Sequence, residues 1–248
     1  MLLAEYKKKF NRDGFVKVEK LFDKNEIKLI LKEVNKIKKK FKKINNPNLH
    51  YTTDDKINTI HDINKFIKKG YLDKLTKDKR ILNIAKTILD DKPYLRNLEF
   101  FLKPKKTGRK APIHQDNFFW NIPSKKALNV WLACTKSDRK NGGVFYFTKS
   151  HKNGLVKHEL SYQPGTSQKI PSKYLDRMKY KKKIPVLEPG DAIFHHCEVI
   201  HGSNKNNSNK DRIGLVMSFK GQKAKVNIKG WREYQKKLKI NLGHFSQK

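Results

Sequence analysis

The sequence is poor in the residues that several common protein chemistries need. Only two of its 248 residues are cysteine, Cys134 and Cys197, which excludes a disulfide framework and a thiolate zinc site. No apolar run reaches the roughly 18 residues of a membrane-spanning helix. The N-terminal segment MLLAEYKKKF has its lysines after a very short apolar start, unlike a secretory signal. We therefore expect a soluble cytoplasmic protein.

Acidic residues are also scarce. Asp and Glu number 23 against 58 Lys and Arg, so the formal net charge is +35 and the chain attracts anions. Only eight of these cations are arginine, the residue best suited to phosphates and bases, and the lysines are spread over the whole chain. Two interpretations follow: a composition bias, or a charge that serves an anionic partner.

The first part of the chain carries helical patterns. Asp23 followed three residues later by Glu26 is typical of a helix N-cap, and apolar residues at helical spacing continue from there to Phe41. A second such pattern runs over residues 78–89. We predict a helical flank over residues 1–92.

From Tyr94 onward, short apolar or alternating runs are separated by Pro, Gly and Asn turns. This pattern is typical of a β-sandwich or barrel. We predict one domain over residues 1–248, with β-structure over 93–222, a loop or lid at about 155–183 and a C-terminal extension over 223–248. The runs are YLRNLEFFL, ALNVWLACT, VFYFT, KIPVL, DAIFHH and RIGLVMSF.

A His-x-Asp pair stands in the run IHQDN. In an extended segment alternate side chains face the same side, so His114 and Asp116 lie together. An imidazole nitrogen and a carboxylate oxygen so placed can bind a divalent metal, provided that a third ligand joins them. The candidates stand in the later run DAIFHHCEVIHG, namely His195, His196 and His201.

An arginine opens the apolar run RIGLVMSF. A guanidinium left unpaired in a core costs several kcal/mol, no acid lies within that run, and the preceding Asp211 points to the opposite side. A bound carboxylate, held by two parallel hydrogen bonds, would pair with Arg212. Two histidines and one carboxylate are the ligands of non-haem Fe(II) oxygenases, whose open positions accept a 2-oxo acid and O₂.

Several segments together resemble the phytanoyl-CoA dioxygenase (PhyH) family of Fe(II)/2-oxoglutarate-dependent oxygenases. The N-terminal FNRDGFVKVEKLFDKNEI resembles the opening segment of that family. The resemblance implies a mainly β fold with flanking α-helices, a double-stranded β-helix of the cupin-like jelly-roll type. The other matching segments are HQDNFFW, the Trp of LNVWLAC, NGGVFYFTKSHKNG and PGDAIFHHCEVIHGSNKNNSNKDR.

The same resemblance assigns the metal ligands. It implies that His114, Asp116 and His201 bind iron, because the spacing from His201 to Arg212 matches the family and that of the two preceding histidines does not. It further implies hydroxylation, since related halogenases have a small residue in place of the carboxylate that Asp116 provides.

The resemblance also assigns three residues to the co-substrate, of which Arg212 was already a candidate for binding a carboxylate. It implies that Arg212 binds the C5 carboxylate of 2-oxoglutarate, and that Ser203 and Trp131 are further neighbours of that molecule. The implied activity is hydroxylation of an unactivated C–H bond in a small-molecule or lipid-like substrate, with release of succinate and CO₂. The implied cofactors are Fe(II), 2-oxoglutarate and O₂.

A function of another class stays open on the sequence: a basic β-domain without catalysis that binds nucleic acid or an anionic surface. Its best candidate patch precedes the HQD segment. The same patch could instead form a rim that draws an anionic small-molecule substrate towards the iron. It consists of Lys103, Lys105, Lys106, Arg109 and Lys110.

Overall fold

The computed structural model describes residues 1–41, 48–67, 69–177 and 179–246. The α-helices in these ranges are α1 (Leu2–Asp13), α2 (Lys24–Phe41), α3 (Tyr71–Thr76), α4 (Lys79–Leu89), α5 (Asn117–Trp120), α6 (Ser172–Leu175) and α7 (Ile228–Ser246). The strands are β1 (Phe15–Val18), β2 (Leu49–Tyr51), β3 (Ile57–Ile60), β4 (Pro93–Phe101), β5 (Ala111–His114), β6 (Ala127–Ala133), β7 (Val144–Phe147), β8 (Glu159–Leu160), β9 (Gln168–Lys169), β10 (Lys182–Lys183), β11 (Ala192–His196), β12 (His201–Ser203) and β13 (Gly214–Gly221). Across the described ranges, no helix is both long enough and apolar enough for a membrane span.

The strands form two antiparallel sheets and a short ribbon. The large sheet has seven strands in the order β1-β11-β6-β13-β4-β3-β2, and the small sheet has four in the order β10-β7-β12-β5. The strands β8 and β9 pair with each other. The sheets do not close into a barrel. The fold is mainly β with flanking helices, a jelly roll of the predicted class.

Strand β6 shows how the large sheet is buried on both faces. All seven of its residues are buried. Leu128, Val130 and Leu132 join the core beneath the helices, whereas Trp131 joins a second core with Tyr146 of the small sheet. Because side chains alternate along a strand, the intervening residues of β6 face the space between the two sheets. The functional residues described below lie in that space.

The helical flank contains the two helices that the sequence predicts. The Asp23 carboxylate accepts hydrogen bonds from the backbone of Asn25 and Glu26, and Glu26 accepts one from the Asp23 N–H, so α2 begins with a capping box. Asp78 caps α4 in a similar way through the N–H of Arg80. The flank also contains β1, β2 and β3, which extend the large sheet. Strands of three or four residues are too short for alternation to show in a sequence.

The predicted lid and C-terminal extension also contain regular structure. Residues 155–183 include the β8-β9 ribbon, α6 and β10, and β10 joins the small sheet through β7. The predicted strand run KIPVL is not continuous: β10 ends at Lys183, and Leu187 forms an isolated bridge with Ser137. Helix α7 packs against α5, next to the metal-binding candidates.

Candidate metal centre and co-substrate pocket

The small sheet brings two of the predicted histidines together. Strands β5 and β12 pair antiparallel, with His114 directly opposite His201. The centroids of their rings lie 4.4 Å apart. Asp116 lies two residues after the end of β5, at the N-cap of α5, and its carboxylate reaches both rings.

Three donor atoms face a common point. Asp116 Oδ1 lies 3.5 Å from His114 Nε2 and 3.7 Å from His201 Nε2. The ligand atoms of the three residues all lie within 4.8 Å of one another. A metal ion with ligand bonds of about 2.0–2.2 Å holds its donors roughly 3 to 4.4 Å apart. The 3.5 and 3.7 Å distances to Asp116 Oδ1 lie in this range, and the 4.8 Å limit exceeds it only slightly, by an amount that a small rotation of an imidazole ring removes. The three side chains therefore fit a single divalent metal ion.

Backbone carbonyls fix the tautomer of both histidines. His114 Nδ1 donates to the carbonyl of Pro112 at 2.7 Å, and His201 Nδ1 donates to that of Val199 at 3.0 Å. Because a carbonyl can only accept, each Nδ1 carries the proton and each Nε2 presents a lone pair. These Nε2 atoms are the ones that face Asp116.

The other oxygen of Asp116 is held from behind. Oδ2 accepts hydrogen bonds from Asn129 Nδ2 at 2.9 Å and from His195 Nε2 at 3.1 Å. Asn129 is held in turn by the hydroxyl of Ser218, and His195 by that of Tyr146 at 3.2 Å. With Oδ2 occupied, Oδ1 stays directed towards the two histidines.

The protonation states also suit a metal. Burial lowers the pKa of His201 to about 3, so its imidazole is neutral at physiological pH. Burial alone would raise the pKa of Asp116, but His201, His114 and His195 together hold it well below its usual value. A neutral imidazole and an ionised carboxylate are the forms in which these residues bind metal ions.

Arg212 lies in the space between the sheets and has no acidic partner in the described part of the chain. Its side chain is only 1% exposed, and its guanidinium carbon lies 5.1 Å from the centre of the Trp131 ring. Within the described ranges, neither Nε nor Nη1 has a hydrogen-bond partner, and burial lowers the pKa of Arg212 to about 9. The neighbouring Asp211 carboxylate instead accepts a bond from the Lys105 N–H at 2.8 Å. An uncompensated buried cation of this kind calls for an external anion.

A second cation shares this compartment. Lys103 is also 1% exposed, and its ammonium donates to the Ser203 hydroxyl at 2.6 Å and to the Asn204 carbonyl. Burial, and after it the charge of Arg212, lower the pKa of Lys103 well below its usual value. Lys103 was predicted to belong to an exposed patch, and this is wrong because the chain turns it inward towards Ser203. The compartment therefore has the features of a pocket for an anion.

The remaining candidates from the sequence have other contacts. His195 meets Asp116 at Oδ2 rather than at the shared point, and the ring of His196 lies 5.0 Å from that of His151. Gln115 ties neighbouring segments together: its amide donates to the carbonyls of Gly154 and Glu198. It also accepts from the N–H of Val156.

Sequence reasoning missed a residue that orients Asp116 and a residue of the helix that covers the metal-binding candidates. Asn129 could have been found, because it is a polar residue two positions before Trp131 in an otherwise apolar run. Tyr234 of α7 gave no signal. Its ring lies 5.4 Å from that of Phe119, which is 5.6 Å from that of His114, so α7 covers this end of the space between the sheets.

Comparisons of sequence agree with the predicted resemblance. The sequence profile of the phytanoyl-CoA dioxygenase (PhyH) family matches residues 10–214. Ectoine dioxygenase of Bordetella bronchiseptica is 24% identical over 246 residues, covering 91% of this chain and 78% of that protein. The peroxisomal phytanoyl-CoA dioxygenase of Rattus norvegicus is 31% identical over 137 residues, covering 52% of this chain and 40% of that protein.

Solved structures share the fold. EctD from S. alaskensis, with 2-oxoglutarate and 5-hydroxyectoine, has a TM-score of 0.76 at 19% identity, over 90% of this chain and 78% of that chain. The non-haem α-ketoglutarate-dependent epimerase SnoN from nogalamycin biosynthesis has a TM-score of 0.71 at 18% identity, over 90% and 84% of the two chains. The family match and the dioxygenases among the sequence relatives favour an enzyme over the basic binding module. Because one family profile accounts for most of its length, the chain belongs to the phytanoyl-CoA dioxygenase (PhyH) family of dioxygenases.

Proposed function

We propose that this chain is an Fe(II)- and 2-oxoglutarate-dependent dioxygenase that hydroxylates an unactivated C–H bond of a small molecule. The observation that carries the proposal is the convergence of His114, Asp116 and His201 beside an unpaired, buried Arg212. Iron and 2-oxoglutarate in the solved EctD structures support the same chemistry.

Each group of residues has a part in this proposal. His114 Nε2, Asp116 Oδ1 and His201 Nε2 would hold the iron. Arg212 would bind the C5 carboxylate of 2-oxoglutarate, and Lys103 Nζ lies in the same compartment, where it donates to Ser203. A carboxylate bound there would pair with the buried Arg212 charge. The free energy gained by pairing that charge favours binding of the co-substrate.

Ser203 and Trp131 shape the co-substrate pocket. The Ser203 hydroxyl accepts a hydrogen bond from Lys103 Nζ and so fixes the position of that nitrogen. The Trp131 ring covers one face of the planar Arg212 guanidinium. The N–H groups at the edge of that plane are left for the carboxylate. When bound, iron and 2-oxoglutarate supply the oxidation: 2-oxoglutarate and O₂ yield succinate and CO₂, and one oxygen atom enters the substrate.

The reaction is tested by measuring the products from the purified full chain. With Fe(II), ascorbate and 2-oxoglutarate, we expect succinate release that stops when iron is withheld. A substrate should leave the reaction one oxygen atom heavier. If the substrate is recovered with unchanged mass but inverted stereochemistry, the reaction is epimerisation and not hydroxylation. Epimerisation is the reaction for which SnoN is named. Absence of iron binding and of 2-oxoglutarate turnover would contradict the proposal as a whole.

The hydrogen bond behind Asp116 makes a separate prediction. We expect Asn129→Ala to weaken Fe(II) binding by about 10- to 100-fold, because partners that orient a ligand commonly contribute that much to metal affinity. Anaerobic calorimetric titration with Fe(II) measures the effect. The matched control is Asn83→Ala, which removes an exposed amide from α4 and should leave the affinity unchanged. Equal affinities in the two variants would show that Asn129 does not position the carboxylate.

A further inference from the structure

Arg96 occupies an irregularity in β4. It is an extra residue opposite the peptide bond between Ser218 and Phe219 of β13, and has no cross-strand partner. Such a bulge changes the direction of side chains and is frequent beside active sites. The preceding Leu95 packs against the core beneath the helices, whereas the Arg96 guanidinium lies 4.7 Å from the centre of the Trp120 ring, one helical turn after Asp116.

The Arg96 guanidinium is partly buried and lacks an acidic partner. Burial lowers its pKa, while the carboxylates of Glu99 and Asp116 are near enough to raise it. In the part of the chain that the structure describes, no carboxylate lies within ion-pair distance of it. A guanidinium that covers an aromatic ring keeps its edge N–H groups free, and their fork matches a carboxylate.

The carboxylate of Glu99 already has its own partners. Its Oε1 accepts from His61 Nδ1 at 2.9 Å and from Asn97 Nδ2 at 2.7 Å. Burial alone would lower the pKa of His61, but Glu99 outweighs burial and raises it. Glu99 is thus engaged by His61 and Asn97 and forms no ion pair with Arg96 among the described residues, which leaves the Arg96 guanidinium available for an anion from outside the chain.

An unpaired acceptor stands beside Arg96. The carbonyl oxygen of the Asn97 side chain is buried and has no hydrogen-bond partner among the residues that the structure describes. A buried amide oxygen without a donor costs about 1–3 kcal/mol, so the site calls for an N–H or O–H group. Tyr234 of α7 bounds the same space: its hydroxyl lies 3.4 Å from that of Ser167, and burial, with a smaller contribution from the charge of Glu99, raises its pKa.

We propose that the substrate is a small carboxylic acid with an N–H or O–H donor near its carboxylate, bound by Arg96 and by the amide oxygen of Asn97. The carboxylate pairs with the edge of the Arg96 guanidinium, and the neighbouring donor pairs with Asn97 Oδ1. A doubly charged phosphate is disfavoured because Glu99 and Asp116 lie on the same side. This inference rests on the proposed function, whose substrate class it names.

The test uses the full chain with Fe(II) and 2-oxoglutarate. The probes are free amino acids, their N-acetyl derivatives and 2-hydroxy acids, each beside its methyl ester, together with phosphate monoesters. We expect at least one acid to raise succinate release above the level without substrate. Its methyl ester should have a KM that is higher by about 10- to 100-fold, the usual contribution of hydrogen bonds to a charged group. Phosphate monoesters should have no such effect.

Variants separate substrate binding from folding. Arg96→Gln should raise the KM for the acid by about the same 10- to 100-fold, as expected for lost charge-assisted hydrogen bonds. It should leave the KM for 2-oxoglutarate and the Fe(II) affinity unchanged. Arg96→Lys keeps the positive charge but lacks the paired N–H donors, and its KM for the acid should lie between those of the parent chain and Arg96→Gln. Arg12→Gln, an exposed arginine on α1, is the matched control and should match the parent chain.

Several results would overturn the inference. Stimulation by methyl esters or phosphate monoesters instead of acids would assign another substrate class. An acid that stimulates Arg96→Gln as well as the parent would leave Arg96 as a structural residue. If 2-oxoglutarate is bound and consumed but no acid in the panel changes the rate, this inference fails and the proposed function stands. If 2-oxoglutarate neither binds nor reacts, the proposed function itself fails.

Discussion

Replacing Asp116 by alanine should abolish Fe(II) binding and lower 2-oxoglutarate turnover by at least about 1,000-fold, equivalent to about 4 kcal/mol of transition-state stabilisation. The reason is that Oδ1 is the one anionic donor among the three atoms that face the shared point. The measurements are iron content after anaerobic gel filtration and the rate of succinate release. Asp176→Ala, which removes an exposed carboxylate at the end of α6, is the control and should keep both.

Substitutions of His201 and His195 should differ in their effect on iron binding. His201→Ala should lose iron, because its Nε2 faces Asp116 Oδ1 at 3.7 Å. His195→Gln should retain iron with reduced affinity, because His195 contacts only the other oxygen. If His195→Gln lost the metal and His201→Ala kept it, the assignment of the third ligand would be wrong.

Replacing Arg212 by methionine should raise the KM for 2-oxoglutarate by about 100-fold or more, the loss expected for a bidentate, buried carboxylate contact of about 3 kcal/mol. Iron binding should persist, because Arg212 contacts none of the three donor atoms. The same variant should be more stable than the parent in the absence of co-substrate, by about 1–3 kcal/mol, since a buried unpaired charge is replaced by an apolar side chain of similar length.

The two readouts of Arg212→Met move in opposite directions, and this makes the prediction specific. Denaturant titration measures stability, and steady-state kinetics measures the KM. Arg139→Met, which changes an arginine outside the pocket, is the control for the KM. A variant that loses stability and iron together with 2-oxoglutarate binding would show that Arg212 supports the fold instead of binding the co-substrate.

The candidate site could be predicted from sequence where local chemistry is unusual. His114 and Asp116 are recognisable as a His-x-Asp pair, although Asp116 lies at the N-cap of α5 and not in the extended strand that the sequence predicts. Arg212 is recognisable because a charge opens an apolar run. The distant His201 required the family resemblance, since spacing along the chain does not reveal that β12 pairs with β5. The capping box of α2 was predictable because it is encoded within four residues.

The parts that could not be predicted depend on contacts between distant segments. The chain turns Lys103 inward to Ser203, a contact of residues 100 positions apart, although a lysine in a basic run is usually exposed. The bulge that directs Arg96 away from the helices arises from the pairing of β4 with β13 and has no local signature. Tyr234 reaches the site only because α7 packs on α5.

The central claim is that one iron and one 2-oxoglutarate bind side by side between the two sheets. Anaerobic calorimetric titration of 2-oxoglutarate into the full chain, with and without Fe(II), tests it most directly. The account predicts one 2-oxoglutarate per chain, bound more tightly when Fe(II) is present. An affinity that is the same with and without iron, or no binding in either case, would contradict it.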